Sequence, residues 1–218
     1  MWAIRMLPLG LLATATAKAP MSRLFASWPD LDASQGVEGA SWATLERRCH
    51  PGAGPGQTQG GWISDGTPLK DVLHADWQAV QRMRTTHLEL AAHLDAIWAL
   101  AKPCDFEAPK SEITYNAGTL PGNTLSAQGP VRLRLKCFRT RGIQDDLIKA
   151  DGFFSGWNVE WIVEGSGHTL RIGGRDSSAG LVQYIKDFGF YEGGEGNEYR
   201  VDPARLVEVL TGGLVNTI

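Results

Sequence analysis

The chain has 218 residues, with 21 Lys+Arg against 24 Asp+Glu, a formal net charge of −3, 43% hydrophobic and 21% charged residues. This is ordinary globular composition, which excludes wholesale disorder, collagen and a coiled coil; the mild acidity argues against a whole-surface nucleic-acid binder. The length supplies one or two modest domains with a real core.

The first stretch, Met1 to Pro29, holds no Asp or Glu and three basic residues, Arg5, Lys18 and Arg23. A short apolar run from Met6 to Ala13 is followed by small residues at Ala13-Thr14-Ala15 and Ala17-Lys18-Ala19. That pattern reads as a secretory signal peptide over residues 1–19. The run is too short to span a bilayer, which takes about 20 residues, so no transmembrane segment is expected. An organellar transit segment and a true start at Met21 are the rival readings, under which the chain is organellar or cytoplasmic. Residues 1–20 are left out of the fold in every case. Residues 21–61 read as a poorly ordered region ending in the Gly/Pro-rich linker Pro51-Gly52-Ala53-Gly54-Pro55-Gly56-Gln57-Thr58-Gln59-Gly60-Gly61, although Trp42 to Arg48 suits a short helical turn. The compact domain is expected from Trp62, over residues 62–218.

Within it, Thr67-Pro68-Leu69 opens a helix, with Thr67 as cap and Pro68 as its first residue. Leu69, Val72, Leu73, Trp77 and Val80 give its stripe. Thr86-His87-Leu88-Glu89 is a capping-box pattern for a second helix carrying Leu90, Leu94, Ile97, Trp98 and Ala101, stopped by Pro103. The short break at Arg84 and Thr85 suggests an antiparallel helix pair. The period then changes from 3.6 to 2. Ile113, Tyr115 and Ala117 alternate with polar residues; so do Val131, Leu133, Leu135 and Cys137, and Trp157, Val159, Trp161 and Val163. These spacings predict strands with one buried and one wet face. His168 to Ile172 is a weaker strand, joined by a tight hairpin at Glu164 to His168. Ser177 or Asp176 caps a helix bearing Leu181, Val182, Ile185 and Phe188 and ending at Gly189, and a last helix runs from Pro203 to Gly212. The fold class is therefore α+β: an antiparallel sheet of about four strands, one face packed by helices, preceded by a helix pair.

The sharpest chemical feature is basic. Arg132, Arg134 and Lys136 project from one strand face, and Arg139 and Arg141 extend the charge past Phe138 after an expected change of register. Such a row would hold phosphates, yet Glu112, Glu160 and Glu164 occupy the polar positions of neighbouring strands, and cross-strand pairing is the favoured reading. Polar positions lack the aromatics that stack bases. Gly173 to Gly180 resembles a strand-loop-helix junction where Arg175 would assist an anion at a helix start, although a capped helix explains it as well. Tyr191 and Glu192 open an acidic, Gly-rich loop that would contact a ligand, or else simply connect two helices. Asp187-Phe188-Gly189 is refused as a kinase triplet because no HRD motif precedes it.

The three cysteines, Cys49, Cys104 and Cys137, show no CxxC spacing. They allow one disulfide with a thiol left over, or three thiols; Cys137 is expected to be a small core residue. The histidines offer no metal-ligand spacing, since His87 and His93 are six apart and HExxH is absent. No metal or cofactor is implied. Among eight tryptophans, Trp77, Trp98, Trp157 and Trp161 are accounted for by the core.

The functional expectation is a non-catalytic binding or protein-interaction module that uses its charged sheet face, with Arg132, Arg134, Lys136, Arg139, Arg141, Arg175, Tyr191 and Glu192 as contact residues. Two alternatives stand beside it. One is a small hydrolase or transferase assembled from His168, Asp176, Ser177 and Glu192. The other is nucleic-acid or phosphate binding through the basic strand 131–141.

Overall fold

The computed structural model describes residues 36–37, 40–52, 62–64, 66–101, 110–125, 129–145, 153–175, 180–193 and 200–213. A minimal antiparallel pair, β1 (Gly36–Val37) and β2 (Ala40–Ser41), leads into α1 (Trp42–Cys49). Then come α2 (Leu69–Arg82), α3 (His87–Leu100), β3 (Lys110–Tyr115), β4 (Val131–Asp145), β5 (Phe153–Gly165), β6 (His168–Arg175), α4 (Gly180–Phe188) and α5 (Pro203–Thr211). The fold is α+β. Four strands make an antiparallel sheet in the order β3-β4-β5-β6, each paired with its chain neighbour. No helix among the described residues is long and apolar enough to cross a membrane.

The helix ends show which local signals acted. Thr86 caps α3 by accepting from the Glu89 N–H at 3.1 Å. Asp202 caps α5 by accepting from the Ala204 and Arg205 N–H groups, with Pro203 at the first turn and Gly212 left-handed at the far end (φ 85°). At α2 the expectation fails. The capping residue is Pro68, which has no side-chain bond to give, and the Leu69 N–H is accepted instead by the Glu46 carboxylate of α1 at 2.8 Å. A long-range carboxylate thus does the work assigned to Thr67. The β5–β6 connection is a two-residue turn with Ser166 and Gly167 both at positive φ (50° and 78°), the mirror-type turn whose twist matches the strands it joins.

Sheet alternation holds as expected where the sheet is widest. Leu133, Leu135, Trp161, Val163, Leu170 and Ile172 are buried, while Arg132, Arg134, Lys136, Glu112 and Glu164 are exposed. The apolar face joins α3, α4 and α5 in one core that includes Val80, Leu90, Leu94, Ile97, Ile185, Leu206 and Leu210. Each such side chain contributes about 1.5–3 kcal/mol on burial. A second cluster gathers Leu45 and Cys49 of α1, Ile63, Leu69, Val72 and Leu73 with Tyr184, Phe188 and Phe190. Through this cluster α1 packs with residues of α2 and α4. The helices α2 and α3 precede the sheet as the expected pair, and both also reach the later helices: α2 packs on α5 and α1, and α3 on α4 and α5.

Cys137 lies in the main core, as expected of a small apolar residue, and is disulfide-bonded. Cys49 is a free, fully buried thiol.

Candidate functional site: the open sheet face

Register defines the wet face. Directly paired residues of an antiparallel sheet share a face, and each face takes alternate residues. Arg134 stands between Glu112 on β3 and Glu164 on β5; Lys136 pairs with Lys110 and Ile162. Glu164 pairs on with Thr169, Ile162 with Arg171, and Asn158 with Arg175. The same row holds Arg132 and, through Phe138, Glu160. Basic positions are Lys110, Arg132, Arg134, Lys136, Arg171 and Arg175, against the acidic Glu112, Glu160 and Glu164. On a chain of net charge −3, this row carries a local positive excess.

Where side chains are described, the row meets solvent. Arg132 is 82% exposed and its Nη1 stands 3.9 Å from the Glu112 carboxylate, itself 53% exposed. So exposed a pair contributes about 0–1 kcal/mol. The Lys136 ammonium lies 4.6 Å over the Phe138 ring, and that ring is 42% exposed. An aromatic and a cation thus sit side by side on the open face.

Two of the expected contact residues belong elsewhere. The β4–β5 pairing runs without interruption from Arg134↔Glu164 to Asp145↔Phe153. No residue is inserted at Phe138, so the expected change of register is absent. Arg139 and Arg141 fall in the register row of Cys137, opposite the row of Arg132; their side chains lie outside the description. Arg175, by contrast, joins the wet row. Asp176 and Ser177 lie outside the described residues.

Tyr191 is no surface ligand contact. It is wholly buried, its hydroxyl 3.0 Å from Nδ1 of His87, and burial raises its pKa well above the ordinary phenol value. Glu192, at φ 58°, holds its carboxylate 3.9 Å from where a Cβ on Gly173 would stand. His168 lies at the other end of β6, paired with Gly165 and bonded to Glu208 of α5. Five residues of strand separate the two places, about 16 Å, so His168 and Glu192 form no common catalytic site.

The ionisable groups that do converge are buried. Asp76 is 1% exposed and takes both Arg200 nitrogens, at 2.5 and 3.2 Å; Arg200 also donates to the Gly193 carbonyl. Burial pushes the Asp76 carboxyl up to about 6, against the opposing pull of Arg200. Nearby, burial lowers His87 to about 4. On the far side of α3, His93 bridges Tyr115 and Asn123. Asn123 Nδ2 donates to the Leu125 carbonyl at 2.9 Å, so its Oδ1 faces His93 Nε2 at 3.0 Å. That oxygen only accepts, so Nε2 carries the proton and the Tyr115 hydroxyl donates to Nδ1 at 2.6 Å. Glu89 accepts from Thr85, from the Thr124 N–H and hydroxyl, and from the Leu125 N–H. These groups bind one another and fasten loops to α3.

The sequence carried a faint signal for this network. Asp76 falls seven residues after Leu69 and four before Val80, on the apolar stripe itself, where a carboxylate needs a partner. Among the described residues no group of three or more His, Cys, Asp or Glu converges as a metal site. Comparison of the chain with models of protein families, with curated proteins and with solved structures finds no match.

Proposed function

We propose that this chain is a non-catalytic protein-interaction module that binds an acidic surface of another protein through the wet face of β3–β6. The observation that carries the reading is the exposed row of Arg132, Arg134 and Lys136, set in a face where basic register positions outnumber acidic ones. Phe138 beside Lys136 adds the aromatic anchor that interfaces favour. Four strands at ~4.8 Å spacing and six residues at ~3.3 Å rise give a footprint on the order of 400 Å². That is about half the share each partner buries in a standard interface. Such a contact is transient, steered by charge and sensitive to salt.

The test is retention of proteins from the native source on the immobilised chain, at low and high salt, for the wild type and for Arg132→Glu with Arg134→Glu. The partner is retained by the wild type at low salt and lost in the variant. Short poly-glutamate and single-stranded polynucleotide are run as probes. A partner retained equally by the variant overturns the reading, and capture of the polynucleotide with no protein transfers the face to nucleic acid. Both substituted residues are exposed, and because Arg134→Glu stands directly between Glu112 and Glu164, stability should fall by about 0.5–2 kcal/mol, so the variant's folded state is checked by circular dichroism alongside binding.

A further inference from the structure

We propose that the acidic segment taken by the wet face carries an apolar side chain, which seats on Phe138 and Ile162 while its carboxylates meet Lys136 and Arg171. The inference rests on the protein-interaction reading above and names the chemistry of what is recognised. It begins with how charge is distributed across the strands. The cross-strand line through Arg134 runs Glu112, Arg134, Glu164 and Thr169, so its cation stands between two acids. The next line, two residues along, runs Lys110, Lys136, Ile162 and Arg171 and holds no acidic position. The positive excess of the face is therefore concentrated in the line of Lys136.

The same place is apolar. Phe138 and Leu100 are the large hydrophobic residues exposed among the described residues, and Phe138 is the one on this face. Lys136 Nζ lies over its ring. Ile162, half-buried, stands opposite Lys136 and diagonal to Phe138, a separation of about 7–8 Å that an aromatic side chain spans. The line beyond runs from Phe138 through Glu160 to Gly173, with the Glu192 carboxylate beside Gly173. Acidic positions thus bound the cationic and apolar patch on both sides.

These boundaries select the ligand. Lys136 and Arg171 flank Ile162, about 10 Å apart at ~4.8 Å per strand. A segment crossing the strands with an apolar side chain above Ile162 sets acids two residues to either side about 13 Å apart, within reach of the flexible Lys and Arg side chains. Glu112 and Glu164, both exposed, stand one line away, about 7 Å and inside the Debye length at physiological salt. They repel a continuous anionic surface such as an anionic bilayer or a polynucleotide, whereas a short segment of a protein avoids them.

The experiment titrates the isotope-labelled full chain, followed by backbone amide NMR, with the capped peptides Glu-Glu-Phe-Glu-Glu and Glu-Glu-Ser-Glu-Glu, and with vesicles of phosphatidylcholine and phosphatidylserine. The wild type should bind the Phe peptide about tenfold more tightly than the Ser peptide, the effect of partly burying one large apolar side chain. Phe138→Ser should cut that preference to about twofold or less and leave the affinity for the Ser peptide as in the wild type. Lys136→Gln should weaken both peptides alike, by up to about fivefold. Amide shifts of the core unchanged in each variant show that the fold is kept. Equal affinity of the wild type for the two peptides, or a preference that survives intact in Phe138→Ser, overturns the inference and leaves the acidic-surface reading standing. Vesicle binding with no peptide binding also overturns it. If neither peptide binds and Arg132→Glu with Arg134→Glu changes nothing in capture from the native source, both readings fall together.

Discussion

Replacing Arg200 with Met should be among the most damaging changes to this fold, and the damage should depend on pH. Asp76 is 1% exposed, and the only side chain that donates to it among the described residues is Arg200. Even so paired, its carboxyl sits at about 6 against a reference of 3.8. At about 1.36 kcal/mol per unit, burying the charge already costs the folded state about 3 kcal/mol above pH 7. Met keeps the length of the side chain and removes both donors and the positive charge. The carboxylate is then buried alone, a change that costs about 3–5 kcal/mol. The sign with pH follows. The folded-state pKa rises further above the unfolded value, so the folded state binds the extra proton. Stability is therefore recovered as pH falls, by up to about 1.4 kcal/mol per unit, until the carboxyl is protonated. Asp76→Asn in the Arg200→Met background removes the titrating group and should recover most of the loss at pH 8. Urea denaturation followed by tryptophan fluorescence at pH 8 and pH 5.5 reads all of this. If Arg200→Met cost under about 1 kcal/mol and its stability did not change with pH relative to wild type, the pair would not be the buried constraint described here.

Two further outcomes are expected. Gly165→Ala places a methyl 2.7 Å from Leu133 Cδ2 and 3.3 Å from Val209 Cγ1, and overpacking of this kind costs about 1–3 kcal/mol; an unchanged melting temperature by calorimetry would mean that α5 does not press on the end of β5. His87, lowered from 6.5 to about 4 by burial, gives stability that is complete above pH 6.5 and is lost as pH falls through 4. His87→Phe should therefore abolish about 2 kcal/mol of the loss between pH 7 and pH 5, and an acid limb identical to wild type would count against a neutral, enclosed imidazole.

What could be read from the sequence was what depends on near neighbours. The stripes of α2 to α5, the alternation of Leu133, Leu135 and Cys137, the β5–β6 turn and the Pro203–Gly212 helix are all local patterns. The errors came where distance decides. Nothing near Leu69 in sequence announces that Glu46, 23 residues away, accepts from its N–H. Tyr191 sits among glycines and acids that read as surface, yet His87, 104 residues earlier, holds its hydroxyl in the core. Past Phe138 the alternation puts Arg139 and Arg141 on the other parity, a pattern that predicts a change of register. The pairing shows no slip: the β3–β4 ladder ends at Lys110↔Lys136, while β4 and β5 continue in register to Asp145 and Phe153.

The division between the two sides of the molecule bears on how the proposed function can be tested. On the wet face, Arg132 and Glu112 meet at 3.9 Å in solvent, and an exposed pair of this kind contributes about 0–1 kcal/mol. Around α3 the reverse holds: His93 holds Tyr115 and Asn123, and His87 holds Tyr191. Each leaves a buried donor or acceptor stranded if cut, at about 1–3 kcal/mol apiece. Folding therefore depends on polar groups that no partner can reach, and the groups a partner can reach contribute little to folding. A charge reversal at Arg132 and Arg134 that abolished binding would then speak about recognition, because the scaffold presenting those side chains is held by bonds on the other side of the sheet.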